Sequence, residues 1–232
     1  RDIIVADFNR DNIPDMAVAN EYSSNMSLFR GSLNGTFQKV ADYSVASGPS
    51  AITAGQFSDD NDDSVVDHND FLDIAVTNFD SNNLSVLLGQ SDGTFAASTT
   101  YATGDGPFSI VTADLNLDGF SDLVTTNVLS NNGAILYGKV DGTFQDPQYI
   151  AAGTGPSAVA AGDLDNDHDI DLAIANVSSS SITILRNQGN GSFQAPENYG
   201  VGRLPLSLPY ALGIDDLDND GDQDLFVAKG DD

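Results

Sequence analysis

One spacing of aspartates recurs along this chain and limits the folds that it can adopt. Each copy carries carboxylate or amide side chains at its first, third, fifth and ninth positions, in the pattern Asp-x-Asx-x-Asp-x-x-x-Asp. Four clean copies occupy Asp7–Asp15, Asp114–Asp122, Asp163–Asp171 and Asp216–Asp224. The last three begin 49 and 53 residues apart, and the first interval, 107 residues, is nine longer than two periods of 49. The chain is therefore a tandem repeat whose first interval contains one further, enlarged unit.

The enlarged unit carries its acidic loop at residues 56–73, and the sequence allows two alignments of that loop. In the first alignment, Gln56 takes the first position and Asp73 the last, with an insertion between them. In the second, the template is filled without an insertion by Asp59, Asn61, Asp63 and Asp67. Both alignments stay open, and either one gives the chain five loops in five repeats.

A second motif, Asx-Gly-Thr/Ser-Phe, keeps the same period and predicts hairpin turns. It occurs at Asn34–Phe37, Asp92–Phe95, Asp141–Phe144 and Asn190–Phe193. Asn-Gly and Asp-Gly pairs favour tight turns between antiparallel strands because both residues tolerate positive φ. A tyrosine follows each turn at a nearly constant distance, and we expect these four side chains to pack between repeats: Tyr43, Tyr101, Tyr149 and Tyr199.

Short apolar runs between the motifs predict strands. In one unit these runs are Ser157–Ala161, Leu172–Ala175, Ile182–Leu185 and Phe193–Tyr199. They are β-branched or alternating, are bounded by Gly, Pro, Asn and Asp, and show no sustained helical period. Four strands in a unit of about 49 residues predict an all-β fold, a β-propeller of four-stranded antiparallel blades. The expected blades span approximately residues 1–48, 49–106, 107–155, 156–204 and 205–232.

The fifth unit has room for only two strands, so we expect four full blades and a half blade. The N-terminus begins with a first strand and therefore cannot supply the third and fourth strands of the last blade. This favours a piece of a larger ring over a five-blade ring with one half-built blade. In a piece, the exposed sheet edges need a cover, either a missing segment or a neighbouring copy of the chain.

The acidic loops have the ligand chemistry of a calcium site. Ca²⁺ takes about six to eight oxygen ligands, whereas zinc prefers His or Cys and Mg²⁺ keeps several of its waters. We expect side chains at positions one, three, five and nine and a backbone carbonyl at position seven to converge on one ion, giving up to five Ca²⁺. The predicted ligands are Asp7, Asn9, Asp11, Ile13 and Asp15 in the first loop; Asp59, Asn61, Asp63, Asp67 and Asp73 in the second; Asp114, Asn116, Asp118, Phe120 and Asp122 in the third; Asp163, Asp165, Asp167, Asp169 and Asp171 in the fourth; and Asp216, Asp218, Asp220, Asp222 and Asp224 in the fifth.

The net charge of −27 comes mainly from these loops, which contain 23 of the 35 acidic residues. Five bound Ca²⁺ would leave a charge of −17. The chain lacks a basic patch that could neutralise nucleic-acid phosphates, and its acidity disfavours anionic membranes. No apolar run approaches the length of a membrane helix, so we expect no direct membrane insertion. The absence of cysteine excludes disulfides, thiolate catalysis and Cys-ligated zinc.

The repeats resemble FG-GAP/VCBS repeats, the calcium-binding blades of integrin-α-like propellers. The resemblance covers nearly the whole chain and rests on the acidic loop, as at Asp216–Asp224, on the Asx-Gly-Thr/Ser-Phe turn and on a Gly-Pro pair at the start of units. The chain departs from the family because the Phe-Gly-Gly-Ala-Pro string is represented only by Gly155–Ala158 and the second loop is rebuilt. The resemblance implies a propeller whose loops bind calcium.

The sequence contains no catalytic constellation, because both histidines, His68 and His168, fall in metal loops and cysteine is absent. We therefore expect a calcium-stabilised binding or adhesion module that recognises a glycan or a protein. The alternative is a structural or accessory propeller of a secreted enzyme or surface filament. Extracellular calcium would fill even weak sites, so we expect an extracellular or cell-surface location. The candidates for ligand contact are aromatic residues outside the repeat register: Tyr22, Phe79, Tyr137 and Tyr210.

Overall fold

The computed structural model describes residues 1–60, 66, 70–202 and 208–230, and the regular elements in these ranges are all strands. The strands are β1 (Asp2–Ala6), β2 (Asp15–Asn20), β3 (Asn25–Gly31), β4 (Phe37–Ser44), β5 (Pro49–Gly55), β6 (Asp73–Asn78), β7 (Asn83–Leu87), β8 (Thr99–Ala102), β9 (Pro107–Ala113), β10 (Asp122–Asn127), β11 (Asn132–Leu136), β12 (Gln148–Ala151), β13 (Pro156–Gly162), β14 (Asp171–Asn176), β15 (Ser181–Leu185), β16 (Glu197–Gly200), β17 (Leu208–Asp215) and β18 (Asp224–Gly230). Nothing in these ranges forms a helix that could span a membrane.

The strands form five antiparallel sheets that follow one another along the chain. Sheet 1 contains β1–β4, sheet 2 β5–β8, sheet 3 β9–β12 and sheet 4 β13–β16, each in sequential order. Sheet 5 contains β17 and β18 in the described part of the chain. The predicted all-β class, with four four-stranded antiparallel units and a partial fifth, is confirmed.

The first strands of the sheets, β1, β5, β9, β13 and β17, lie side by side in that order and line one central cavity of about 390 Å³. Small Ala, Ser and Gly side chains in these strands allow the close approach. Hydrogen bonds join neighbouring first strands directly: Ile52 N donates to Asp2 Oδ2 at 3.0 Å, Ser50 Oγ to the Pro107 carbonyl at 2.7 Å, and Ser157 Oγ to the Pro209 carbonyl at 3.1 Å. The sheets therefore radiate from a shared centre.

The hydrophobic core lies between successive sheets. Strands β6, β10 and β14 are buried along their whole length because they lie in the middle of sheets that are covered on both faces. In sheet 1, by contrast, β2 alternates between buried and half-buried residues, and Ile3 and Val5 of β1 are exposed. Among the described residues, sheet 1 therefore packs against sheet 2 with one face and leaves the other face open.

The Asx-Gly-Thr/Ser-Phe turns fasten each sheet to the sheet before it. Nη2 of Arg30 donates to the carbonyls of Asp92 and Gly93 at 2.8 and 3.1 Å, so that sheet 1 holds the turn of sheet 2. The ring of Phe95 in that turn packs edge-on against Tyr43 of sheet 1, with centroids 5.5 Å apart. The turns are thus contacts between sheets as well as connections between strands.

One of the four registered tyrosines, Tyr149, lies on a different side of its sheet from the other three. Cross-strand partners place three of these tyrosines at one register position, opposite Met26, Leu84 and Ile182. In sheet 3 that position belongs to Ile150, which lies opposite Gly133 and is buried, whereas Tyr149 is 55% exposed. Adjacent residues of a strand face opposite sides, so a shift of one residue turns the Tyr149 ring toward the preceding sheet, where its Oη donates to the Thr103 carbonyl at 3.3 Å. Tyr149 therefore still contacts another repeat, as the sequence predicts.

Two glycines in equivalent turns provide a test of this interlocking. Gly93 and Gly35 both have positive φ, at 71° and 78°, but a Cβ at Gly93 would lie 2.5 Å from the Cβ of Asn9, whereas one at Gly35 meets nothing within 4 Å. We expect Gly35→Ala to cost about 1 kcal/mol through its backbone conformation. Gly93→Ala should cost about 1–3 kcal/mol more, because the added methyl group overpacks the contact between sheets. Denaturant unfolding of both variants measures the difference, and equal losses would contradict the interlocking role.

Candidate metal centres

Each acidic loop joins the first strand of a sheet to the second. In the four clean copies the first position directly follows the first strand, and the ninth position is the first residue of β2, β10, β14 or β18. Neighbouring loops contact one another, since Asn166 donates a hydrogen bond to Asp222 and the Arg10 guanidinium lies 4.2 Å above the ring of Phe71. The loops therefore cluster around one end of the array.

The first-position carboxylate organises the backbone of its loop. Oδ1 of Asp216 accepts the N–H of Asp220 at 3.2 Å, and Oδ2 accepts the N–H of Gly221 at 3.0 Å. Asp7, Asp114 and Asp163 accept from the fifth and sixth residues in the same way. This curl requires positive φ at the fourth and sixth positions, which are Arg10, Asn12, Leu117, Gly119, Asn166, His168, Asn219 and Gly221.

The ninth-position carboxylate is buried and joins its loop to the third strand of the sheet. In Asp122, Oδ2 accepts the N–H of Leu115 at 3.0 Å and Oδ1 accepts the N–H of Gly138 at 2.9 Å. The Oδ1 bond recurs at Asp15, Asp73 and Asp171, and all four side chains are fully buried. Burial raises the pKa of each of these carboxyls, to about 6 for Asp73 and about 7 for Asp122.

In the second loop, the strand register favours the alignment with the insertion. Gly55 pairs with Asp73 just as Gly162 pairs with Asp171, which places Asp73 at the ninth position and Gln56 at the first. Asp73 also accepts the N–H of Phe57 at 2.7 Å, as Asp122, Asp171 and Asp224 do from their own loops. Of the other predicted ligands, Asp59 lies two residues after Phe57. Three lie outside the described residues: Asn61, Asp63 and Asp67.

Two loops bring three carboxylates close enough together to hold one metal ion. Among the described residues, the groups with oxygens within 4.8 Å of one another are Asp163, Asp165 and Asp171 in the fourth loop and Asp216, Asp218 and Asp224 in the fifth. These are positions one, three and nine. In the first and third loops, position three is an asparagine, and Asn9 and Asn116 each donate to the fifth-position aspartate, Asp11 and Asp118.

The fifth-position carboxylates form hydrogen bonds within their own loops. The carboxylates of Asp11, Asp118, Asp167 and Asp220 accept the N–H of the seventh residue of their own loops, namely Ile13, Phe120, Asp169 and Asp222. The two clusters defined by carboxylate distances do not include these fifth-position residues. In the fourth and fifth loops the structure brings together the carboxylates of positions one, three and nine, and the five-ligand shell stays a prediction.

Sequence reasoning missed Arg186, which lies beside the fourth cluster. Its Nη1 is 2.9 Å from Asp165 Oδ2 and 3.7 Å from Asp171 Oδ2. The same register position in sheet 1 is Arg30, and this equivalence was the available signal. For the fifth cluster, no ion pair with Lys, Arg or His is found within the described ranges.

The donor set of the fifth cluster fits a hard divalent cation. Three carboxylates with no basic partner repel one another, and a cation held by Asp216, Asp218 and Asp224 would offset this repulsion. Oxygen donors without His or Cys favour calcium over zinc. A cation here would supply positive charge that fixes the loop between β17 and β18.

The buried ninth-position carboxyls predict how the stability of the metal-free protein depends on pH. Their folded-state pKa values, about 6 for Asp73 and about 7 for Asp122, lie above the ordinary 3.8, so the folded state holds these protons more tightly than the unfolded state. The resulting stabilisation is complete below the unfolded-state pKa and is lost as the pH rises through the folded-state values. We expect the free energy of unfolding in metal-free buffer to fall between pH 5 and pH 8, and Asp122→Asn to reduce this slope. Denaturant titrations test this, and a stability that rises over this range would contradict it.

Comparison with known proteins supports the repeat assignment. A family model described as an FG-GAP-like repeat matches residues 7–67, 66–125, 118–174 and 163–227. A search of curated protein sequences gave no match.

Solved structures share the fold at low sequence identity. A protein from Lactobacillus plantarum superposes with a TM-score of 0.68 at 14% identity, over 98% of this chain and 64% of its own. An Agrocybe aegerita lectin described as recognising non-reducing terminal N-acetylglucosamine has a TM-score of 0.63 at 16% identity, over 97% and 59%. The V. cholerae biofilm matrix protein Bap1 has a TM-score of 0.52 at 15% identity, over 97% and 34%.

The chain thus spans less than two thirds of the length of each of these proteins. The family match extends over almost all of the sequence, and the structural neighbours confirm the predicted β-propeller. The chain belongs to the FG-GAP-like repeat family.

Proposed function

We propose that this chain is a calcium-stabilised extracellular binding module that recognises a glycan or a protein. The observation that carries the proposal is the convergence of three carboxylates within 4.8 Å in each of two neighbouring loops. Carboxylates packed this closely need a compensating cation or proton. Arg186 supplies positive charge beside the fourth cluster, whereas the fifth has no basic partner among the described residues. With a net charge of −27, the chain gains most from cations, and millimolar calcium outside cells supplies them even to weak sites.

The calcium loops have a structural role in this proposal, because their carboxylates are already engaged with the backbone of the same sheet. Ligand recognition is assigned to the other end of the array, where the first strands begin. A shallow cavity of about 210 Å³ lies there, lined by Phe108, Val128, Gly155, Ser157, Val177, Ser178 and Tyr210. Its aromatic and hydroxyl groups have the mixed character of a sugar-binding or peptide-binding surface.

Of the aromatic residues outside the repeat register, some pack against other parts of the protein and others are exposed. Tyr137 donates to the Gly191 carbonyl at 2.6 Å and is engaged between sheets, and Phe79 packs edge-on against Phe108 with centroids 6.4 Å apart. Tyr210 is exposed and lines the cavity, which makes it the strongest ligand contact of the set. The lectin and the biofilm matrix protein among the structural neighbours support a binding role for a propeller of this kind.

Calcium binding at the fifth loop is tested by Asp216→Asn. We expect this variant to bind one fewer Ca²⁺ in isothermal titration calorimetry and to gain less thermal stability from calcium. One site contributes about 2.7 kcal/mol at a calcium concentration 100 times its Kd, by mass action. Asp146→Asn makes the same charge change at an exposed position outside the loops and should leave the stoichiometry unchanged. An unchanged stoichiometry in Asp216→Asn would contradict calcium binding at the fifth loop.

Ligand recognition is tested by glycan-array and protein pull-down screens with calcium and with EGTA. We expect a specific ligand whose binding is lost in EGTA, because the sheets loosen without metal. Tyr210→Ala should weaken that binding about tenfold or more, since it removes an aromatic contact and its buried area. Leu33→Ala, a change at a residue that is 93% exposed in the turn between β3 and β4, at the opposite end of the sheets, is the control. Identical binding and an unchanged fold in EGTA would refute the calcium-dependent function.

A further inference from the structure

Sheets 1 to 4 carry a repeated group of side chains that faces the next sheet, which we call the turn socket. Its base is the second residue of the acidic loop. One side is the residue just before the N–H that the ninth-position aspartate binds at the end of the third strand, and the other side comes from the fourth strand. The equivalent residues are Phe8, Arg30 and Tyr43 in sheet 1; Phe57, Leu88 and Tyr101 in sheet 2; Leu115, Tyr137 and Ile150 in sheet 3; and Leu164, Arg186 and Tyr199 in sheet 4.

The first three sockets each hold the Asx-Gly-Thr/Ser-Phe turn of the following sheet. In the first, Phe95 lies edge-on to Phe8 and Tyr43, with centroids 5.6 and 5.5 Å away, and its N–H donates to Tyr43 Oη at 3.2 Å. In the second, Phe144 packs in the same way against Phe57 and Tyr101. In the third, Phe193 joins the core cluster of Leu115 and Ile150. The bound element is the same each time. It is a turn whose glycine lies close to the preceding sheet and whose phenylalanine fills the socket.

The fourth socket is a cavity of about 290 Å³ between sheets 4 and 5. Leu164, Arg186 and Tyr199 line it, together with Ile182, Ile184 and Leu225. Tyr199 is 52% exposed, and the turn motif does not recur in the sequence after Phe193. The socket therefore has its full set of side chains but no turn of its kind from the described residues.

Sheet 5, next to the fourth socket, has a strand edge and a carboxylate oxygen that an incoming strand can bind. Within the described ranges, β18 pairs only with β17, which leaves its other edge available for a strand. Asp224 Oδ2 accepts the N–H of Leu217 at 3.2 Å, as a ninth-position aspartate should. Its Oδ1 lacks the third-strand N–H that the other sheets provide, among the described residues, from Gly31, Gly89, Gly138 and Asn187.

We propose that the fourth socket and the free edge of β18 together form a docking site for a β-hairpin with an Asx-Gly-Thr/Ser-Phe turn. The first strand of the hairpin pairs with β18 and donates an N–H to Asp224, and the phenylalanine of its turn packs between Leu164 and Tyr199. Arg186 donates to the carbonyls of the turn, as Arg30 does in the first socket. The three occupied sockets define this occupant, since each is built from the same three positions as the fourth and each holds such a turn.

A second copy of this chain is a poorer occupant than a separate hairpin. The turn of sheet 1, Asn34–Phe37, is accessible, and Phe37 is 47% exposed. Its strand β3, however, already pairs with β2 on one edge and with β4 on the other. It cannot pair with β18 unless sheet 1 opens.

The test uses the full chain in saturating calcium and a fluorescent peptide of residues 83–102. This peptide contains β7, the turn Asp92–Phe95 and β8, and its natural socket uses Arg30 and Tyr43, the same residue types as Arg186 and Tyr199. We expect saturable binding by fluorescence anisotropy that weakens about tenfold or more with the Phe95→Ala peptide or with the Tyr199→Ala protein. Tyr22→Ala should bind the intact peptide as the parent chain does.

A covalent form covers the case in which the free hairpin is too unstable to bind. Residues 83–102 are appended after Asp232 through a single serine. Lys229 corresponds to Asn176, so the three residues 230–232 and the added serine match the four residues between Asn176 and Ser181. We expect a higher Tm for this fusion than for its Phe95→Ala counterpart.

Equal Tm values, or peptide binding that is unchanged by both Phe95→Ala and Tyr199→Ala, would overturn the proposal. Self-association that disappears in Tyr199→Ala without peptide would also overturn it, by assigning the socket to a second copy. All arms contain calcium, and none requires a ligand at Tyr210, so failure here is distinct from failure of the proposed function.

Discussion

The structure depends on a buried aspartate that binds two separate backbone segments. A carboxylate at the ninth loop position accepts one N–H from the start of the loop and another from the end of the third strand, as Asp122 does from Leu115 and Gly138. An isolated buried charge is expensive, and hydrogen bonds from the backbone make it tolerable. The aspartate in return fixes the distance between the loop and the third strand. Both bonds also form at Asp73 and Asp171, and they require the acidic loop to close at the first residue of the second strand.

The acidic loops and the hairpin turns stabilise different contacts. The loops act within a sheet, since the first-position carboxylate curls the backbone and the ninth-position carboxylate reaches the third strand. The turns act between sheets, through the glycine and phenylalanine that enter the socket of the preceding sheet. Both motifs recur with one period because each sheet needs both contacts once. Loss of the turn contact would leave the sheets formed but poorly joined, whereas loss of the loop contact would weaken the sheet itself.

The sequence predicted the fold and the placement of the acidic loops because both follow from periodic patterns along the chain. It did not predict that Ile150 faces the following sheet while Tyr149 faces the preceding one, since a shift of one residue reverses the face of a strand without changing composition. It also missed Arg186, whose carboxylate partners are distant in sequence. The alignment of the second loop required the strand register, in which Asp73 pairs with Gly55. These differences all depend on contacts between residues far apart in the chain.

Asp224 connects the proposed metal site with the proposed docking site. Its counterpart Asp171 is buried and bound on both oxygens, whereas Asp224 is exposed and has one backbone bond among the described residues. A third strand beside β18 would bury this carboxylate and fix its orientation toward Asp216 and Asp218. A cation at these residues would likewise hold it in place for an incoming N–H. Each event reduces the ordering cost of the other, and linkage makes the effect reciprocal, so calcium and the hairpin should each increase the affinity for the other.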